Sequence, residues 1–196
     1  MIIKDTRVSL TNEVTPGKFA FFIEVSYGGL EVPLNNIIQS AKHFSHIIFT
    51  GEPLEQKEDL VKLLHKLNDN NSETIFEIYT DGKKPPLEIK AVESKISYNV
   101  KIELNGGISK TDNNIYSYMR SNGRFIFDVA IVDDIDKVLM FVNKYKIKND
   151  IIFISPKRLC GISDIYAMVK YRGFNLSIDM NKILMWIERG ALNEES

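Results

Sequence analysis

Two short turns hold the residues whose types and spacing best suit ligand binding. Thr50-Gly51-Glu52-Pro53 follows one apolar run, and Thr80-Asp81-Gly82 closes the next. A carboxylate beside a glycine can accept hydrogen bonds from an ammonium group, because glycine lets a ligand approach the backbone closely. The alternatives are an ordinary turn and a plain strand-to-helix connection, in which Glu52 and Glu55 favour the helix start through its dipole.

Three further carboxylates, Asp128, Glu24 and Glu103, stand inside predicted strands. A carboxylate in an apolar strand must be paired, protonated or pointed into a polar cavity, because burying it unpaired costs several kcal/mol. If the three face one interior, they could bind a cation or a basic ligand, or serve acid–base or metal-assisted chemistry. The alternative places them on the outer face or pairs them with Lys101 or Arg124.

Few other side chains suggest chemistry. Lys157 follows the sixth predicted strand and could meet an anionic group, although a solvated pair with Arg158 is the alternative. The single cysteine, Cys160, excludes an internal disulfide and a cysteine-ligated cluster within one chain. The three histidines are His43, His46 and His65. No metal site is predicted from them, because His43 and His46 straddle a helix end and a strand start and so do not share a helical face.

The composition bounds the class of protein. The chain has 196 residues, 44% apolar and 26% charged, which predicts one globular domain. No apolar run is long enough to span a bilayer, and the charged beginning of the chain is unlike a secretory signal. The net charge of −1, with no block of like charges, gives no electrostatic sign of DNA binding. We therefore predict a cytoplasmic protein without membrane or DNA partners.

The pattern of apolar residues alternates strand and helix about six times. Strands are predicted at residues 18–27, 47–49, 74–79, 100–104, 125–132, 151–154 and 174–178, while residues 87–97 are ambiguous. Helices are predicted from Pro33, over residues 60–67 and 113–120, over residues 135–142 after a cap at Asp133 or Asp134, after a cap at Ser163, and over residues 180–187. Such a chain builds a mostly parallel sheet, either a partial barrel or an open doubly wound sheet.

Three altered motifs occur in order along the chain. Phe49-Thr50-Gly51-Glu52-Pro53 is similar to a Gly-Gly-Glu-Pro turn, and Tyr79-Thr80-Asp81-Gly82 to a Glu-Thr-Asn-Gly turn. The stretch from Phe174-Asn175-Leu176-Ser177 through Asn181-Lys182-Ile183-Leu184-Met185-Trp186 is similar to a carboxyl-terminal segment that runs into His-Lys-Ile-Leu-Trp. Together they resemble the radical S-adenosylmethionine superfamily, most closely members of the 7-carboxy-7-deazaguanine synthase type. The resemblance implies an α/β fold with a partial (β/α)6 barrel. It also implies that the Glu52 turn contacts the amino group of S-adenosylmethionine.

The sequence departs from that family where its iron–sulfur cluster would bind. Glu24-Val25-Ser26-Tyr27-Gly28-Gly29-Leu30 replaces the family's Cys-x3-Cys-x2-Cys loop and contains no cysteine. Asp128 stands where relatives often have lysine, and Tyr79 where they have glutamate. We therefore expect a degenerate member without a [4Fe–4S] cluster and without radical chemistry.

These observations leave three functional hypotheses. The leading one is a pseudoenzyme that binds S-adenosylmethionine, a purine or a nucleotide-like ligand at the carboxyl-terminal rim of the barrel. The second is a redeployed enzyme that uses Asp128, Glu24 and Glu103. The third is a non-catalytic interaction subunit or homodimer. The residues predicted for the rim site are Thr50, Gly51, Glu52, Pro53, Thr80, Asp81, Gly82, Asp128 and Lys157.

Overall fold

The computed structural model describes residues 1–11, 18–104, 112–158 and 161–177. Within them the strands are β1 (Ile2–Leu10), β2 (Phe19–Val25), β3 (Leu30–Glu31), β4 (His46–Thr50), β5 (Ile75–Thr80), β6 (Ile96–Ile102), β7 (Gly123–Val129), β8 (Ile152–Pro156) and β9 (Asn175–Leu176). The helices are α1 (Leu34–Ala41), α2 (Lys57–Asn70), α3 (Ile115–Arg120), α4 (Asp134–Tyr145) and α5 (Ile162–Arg172). The predicted closing helix, and the part of the third family-like motif after residue 177, fall outside the described residues.

The strands form one mixed sheet in the order β3-β1-β2-β4-β5-β6-β7-β8-β9. From β2 to β9 every neighbouring pair is parallel, whereas β1 pairs antiparallel with both β2 and β3. The predicted partial barrel with a mostly parallel sheet is thus confirmed. Parallel pairing brings the carboxyl ends of β4 to β8 to the same rim.

Alternating side chains give the sheet two different faces. One face packs against the helices and forms the main core, in which Ile23, Phe49, Ile78 and Phe127 are fully buried. The opposite face, here called the inner face, has a small apolar cluster of Ala20, Phe22 and Ile48 against Tyr79. The rest of the inner face is largely polar, so the barrel interior is not a second hydrophobic core.

A buried polar network occupies the inner face near the amino ends of the strands. The Glu77 carboxylate is only 3% exposed and lies 3.2 Å from His46 Nε2, while Asn99 Nδ2 donates a hydrogen bond of 2.8 Å to it. Arg124 Nη1 lies 3.8 Å from the same carboxylate. These partners from three neighbouring strands offset the cost of burying a charge inside the sheet.

Several predicted boundaries were wrong for local reasons. Strand β6 begins at Ile96 rather than at residue 100, so the ambiguous segment contains its first two residues. Ser163 does not cap α5, because that helix begins at Ile162 after Gly161 in a left-handed conformation (φ 74°). Strand β1 was not predicted at all. None of the helices in the described ranges has the length and hydrophobicity needed to cross a membrane.

The turn after β2 is held tightly against β1. Gly29 N–H donates to the Ser26 carbonyl oxygen at 3.2 Å, and Ser26 N–H donates to the Ile2 carbonyl oxygen at 3.3 Å. A Cβ atom on Gly29 would lie 2.2 Å from the Ile3 carbonyl oxygen, whereas one on Gly28 would meet nothing within 4 Å. Gly29 is therefore required by the close approach of two backbones.

This contrast predicts different effects for two adjacent substitutions. Gly29→Ala should lower the free energy of unfolding by about 1–3 kcal/mol, because the added methyl group forces β1 away from the turn. Gly28→Ala should stay within about 0.5 kcal/mol of the parent protein. Urea unfolding followed by circular dichroism measures both, and equal stabilities for the two variants would contradict the packing described here.

Candidate functional site

Two adjoining cavities, each of about 310 Å³, lie at the carboxyl ends of the parallel strands. The first cavity lies between the ends of β4, β5 and β6 and contains Thr50, Gly51, Glu52, Thr80 and Asp81. The second lies between the ends of β6, β7 and β8 and contains Asp128, Asp134 and Lys157. Lys101 and Glu103 line both cavities, which makes them two compartments of one groove.

The structure therefore brings most of the predicted rim residues together. Pro53 and Gly82 lie beside the groove and do not line it. Pro53 is buried and opens a short 3-10 turn, Pro53–Gln56, which leads into α2. Gly82 adopts φ 74° and donates its N–H to Thr80 Oγ1 at 3.1 Å. Both residues shape the backbone of the rim.

Glu52 ties the turn after β4 to the turn after β5. Its Oε1 accepts the Asp81 backbone N–H at 2.8 Å, and its Oε2 accepts the Thr80 hydroxyl at 3.1 Å. Glu52 takes a left-handed conformation (φ 61°, ψ 55°), which is unusual for a residue with a side chain and is retained here by these two hydrogen bonds. The Glu52 carboxylate thus already accepts two hydrogen bonds from within the protein.

The surroundings of Glu52 favour its neutral form. Burial raises the pKa of the Glu52 carboxyl group, and the nearby Asp81 carboxylate raises it further. The hydrogen bonds from Asp81 N–H and the Thr80 hydroxyl oppose this rise in pKa without cancelling it. A carboxyl group that ionises less readily is a weaker partner for an ammonium group.

Gly51 is explained by the neighbouring strand. A Cβ atom there would lie 2.2 Å from the Val25 carbonyl oxygen, and the residue has φ 72°. Gly51 was predicted to admit a ligand. The close contact with β2 requires a glycine at this position whether or not a ligand binds. Thr50, paired in register with Glu24, is half-buried at the same strand end.

The strand carboxylates divide into two groups. Glu103 and Asp128 line the second cavity, and within the described part of the chain neither side chain makes a hydrogen bond or an ion pair. Glu24 lines neither cavity and is instead paired with β1, through Lys4 Nζ at 2.8 Å and Arg7 Nη1 at 3.7 Å. Of the three carboxylates considered together, only Glu103 and Asp128 thus line the same cavity.

Asp134 forms one wall of the second cavity by holding the loop after β7. Its Oδ2 accepts the Ala130 N–H at 3.0 Å and the Ile131 N–H at 3.4 Å, and its Oδ1 is 2.6 Å from Lys137 Nζ. Burial opposes its ionisation, but these contacts outweigh that cost and lower the pKa of Asp134. One of the two aspartates predicted to cap α4 therefore binds the preceding loop through its side chain.

Two of the groove residues had been missed as ligand candidates. Lys101 was considered only as a partner for the strand carboxylates, yet its Nζ lies 5.6 Å from the centre of the Tyr79 ring at the wall between the cavities. Asp134 was considered only as a helix cap. The alternation of Lys101 with Glu103 along β6 was the available signal, because it places both side chains on one face.

The turn predicted to stand in place of the family's cluster loop does not offer the ligands of an iron–sulfur cluster. Ser26 Oγ accepts the Gly28 N–H at 3.3 Å, and the Tyr27 hydroxyl donates to Glu55 at 3.3 Å. Neither side chain is a thiol, and the whole chain has one cysteine, whereas such clusters are held by several thiolates. Among the described residues no group of three metal-binding side chains converges.

The similarity to known proteins concerns the fold. No family model and no curated protein sequence matches this chain. The crystal structure of QueE from Escherichia coli is similar, with a TM-score of 0.66 and 17% sequence identity over 90% of this chain and 92% of QueE. QueE is a radical S-adenosylmethionine enzyme, a 7-carboxy-7-deazaguanine synthase. At this identity the likeness shows a shared fold and carries no information on activity.

The raised pKa of Glu52 predicts a pH-dependent difference between the parent protein and Glu52→Gln. Folding favours protonated Glu52, so its contribution to stability is complete below the pKa of the unfolded chain, about 4.3. That contribution is lost as the pH rises through the pKa of the folded protein. The parent protein should therefore lose stability relative to Glu52→Gln as the pH rises from about 4 through the pKa of the folded protein.

Urea unfolding at several pH values measures this difference. The altered hydrogen bonds of Glu52→Gln add a constant to the stability difference between the two proteins, and this constant does not change the slope of that difference with pH. Glu88→Gln, a change at an exposed carboxylate, is the control and should show no such trend. A stability difference that stays flat or runs in the opposite direction for Glu52→Gln would contradict the assignment.

Proposed function

We propose that this chain binds a small molecule in the groove at the carboxyl-terminal rim of its partial barrel and performs no radical chemistry. The ligand classes proposed are S-adenosylmethionine, purines and nucleotide-like compounds. The observation that supports this is the pair of adjoining cavities, which contain Thr50, Glu52, Asp81, Asp128 and Lys157. Ligands of parallel α/β barrels bind at this end of the strands.

The dimensions of the groove agree with a ligand of this size. Neighbouring strands lie about 4.8 Å apart, so the distance from the end of β5 to the end of β8 is about 14 Å. A nucleoside that carries a side chain spans a distance of this order. The two cavities have a combined volume within the range of small-molecule sites, about 300–1,000 Å³.

The absence of radical chemistry is proposed from the chain itself. Reductive cleavage of S-adenosylmethionine in the resembling family requires a [4Fe–4S] cluster on three cysteines. This chain has one cysteine, and the turn at Ser26–Gly29 is pressed against β1. A scaffold of the QueE type without those ligands retains a rim that can bind and position a ligand.

Binding can be measured by calorimetry and by the shift in melting temperature. The probes are S-adenosylmethionine, S-adenosylhomocysteine, adenosine, guanosine and guanosine monophosphate. A probe that binds should stabilise the folded protein by about 2.7 kcal/mol at a concentration 100 times its Kd. Ala130→Phe, which fills part of the second cavity, should weaken binding, whereas Ala91→Phe at an exposed site should not. Lack of binding by every probe to the folded parent protein would refute the proposal.

A second candidate function rests on the two carboxylates that share the second cavity. Glu103 and Asp128 could act as an acid–base pair on a bound ligand. Our leading proposal predicts that mass spectrometry recovers each probe unchanged after incubation with the protein. If the parent protein converts a probe, and Glu103→Gln and Asp128→Asn each abolish that conversion, the enzymatic function is favoured instead.

A further inference from the structure

The outer edge of β1 is covered over only part of its length. On one side β1 pairs with β2 as far as Leu10. On the other side β3 pairs with it at Ile2 and Ile3 alone. From Thr6 to Leu10 this side of β1 therefore meets no strand among those that the structure describes. An open strand edge presents N–H and C=O groups with which another strand can pair.

The direction of the backbone groups along this edge follows from one contact at the end of β1. Thr11 N–H donates to the Lys18 carbonyl oxygen, on the side of β2. The backbone groups of successive strand residues point alternately to the two sides, so every second residue back from Thr11 also faces β2. The backbone groups that face away from β2 belong to the residues between them: Thr6, Val8 and Leu10.

The helix-packed face of the sheet remains apolar up to this edge. Val8 pairs in register with Phe21, which belongs to the main core and is 6% exposed. Val8 itself is 52% exposed, and Phe19, which lies on the same face of β2 as Phe21, is 70% exposed. The row of core side chains thus ends in solvent at Val8, and a further strand beside β1 would cover it.

The charged side chains near this edge are balanced within the chain. Lys4 Nζ lies 2.8 Å from Glu24 Oε1, while Arg7 Nη1 lies 3.1 Å from Asp5 Oδ2 and 3.7 Å from Glu24 Oε2. Charges and bulges commonly protect edge strands from pairing, and the bulge of β1 lies between Ile3 and Asp5. Both forms of protection are thus concentrated in the part of β1 next to β3, and the last three residues of β1 carry no charge.

A second copy of β1 fits the open edge in one register. Two identical antiparallel strands, related by a twofold axis perpendicular to the sheet, place one residue opposite itself. With either of the two residues before Val8 at the axis, the other copy would reach Ile3, whose edge β3 already occupies. With either of the two residues after Val8 at the axis, Thr6 would lie beyond the end of the other β1. Val8 at the axis avoids both conflicts.

We propose that the open edge of β1 pairs with the same edge of a second copy of this chain, antiparallel and with Val8 at the twofold axis. Val8 then faces Val8 of the other copy, and Thr6 and Leu10 of each copy face one another. Each of these pairs exchanges two backbone hydrogen bonds, and the two sheets become one.

The dimer leaves the groove at the rim accessible. Val8 pairs with Phe21 near the beginning of β2, whereas Glu24 near the end of β2 pairs with Thr50 at the rim. The interface and the groove therefore lie at opposite ends of the sheet, and the inference does not depend on the proposed ligand.

Sedimentation velocity over a series of protein concentrations measures the dimer. The parent protein should shift from monomer to dimer as its concentration rises. Val8→Lys and Val8→Glu each place two like charges at the axis and should raise the dissociation constant of the dimer by roughly tenfold or more. Val8→Pro should do the same, because it removes an N–H group that points away from β2 and so leaves the pairing with β2 intact.

A mixture of two of these variants tests the register itself. When Val8→Lys is mixed with Val8→Glu, opposite charges face each other at the axis. Native mass spectrometry should then detect a heterodimer of one copy of each variant, with a dissociation constant within about threefold of that of the parent dimer. A mixture that stays monomeric would overturn the pairing about Val8.

The control variant makes the same change on another surface. Met140→Lys alters an exposed side chain of α4 and should dimerise like the parent protein. Circular dichroism establishes that each variant is folded. A parent protein that is monomeric at its highest soluble concentration, or a dimer that Val8→Lys weakens no more than Met140→Lys does, would overturn the proposal. Ligand titrations of Val8→Lys test the proposed function separately, because the groove lies apart from this edge.

Discussion

The two hydrogen bonds that Glu52 accepts from Thr80 and Asp81 fasten the end of β4 to the end of β5. They hold a non-glycine residue in a left-handed conformation and so fix the path of the chain into α2. They also set the boundary of the groove, because the first cavity is built from the residues that they connect. A carboxylate that organises the rim in this way has less capacity to bind a ligand.

Polar groups inside the barrel have different functions at its two ends. Near the amino ends of the strands, Glu77 is buried and compensated by His46, Asn99 and Arg124, so that network is part of the architecture. Near the carboxyl ends, Asp128 and Glu103 line a cavity without such partners in the described residues. Removing a partner from a buried network costs stability, whereas exposed charges can be retained for binding at little cost.

Much of the scaffold could be predicted from the sequence, because strands buried on one face against amphipathic helices leave clear periodic patterns. Strand β1 was missed since Lys4, Asp5 and Arg7 give it the composition of a surface segment, and its position depends on pairing with β2. The rule that singled out Asp128 applied equally to Glu77. Only the structure shows that one is enclosed by partners and the other faces a cavity, because that difference depends on neighbouring strands.

We propose that the rim of the barrel binds a ligand with no help from a cluster. The most direct measurement is a backbone amide NMR titration of the isotopically labelled protein with S-adenosylmethionine. We predict saturable shifts for the amides of Lys101, Ile102 and Glu103 on one strand and of Asp128, Val129 and Ala130 on the next. A spectrum that does not change on titration, or changes confined to strands β1 and β3, would contradict ligand binding at the rim.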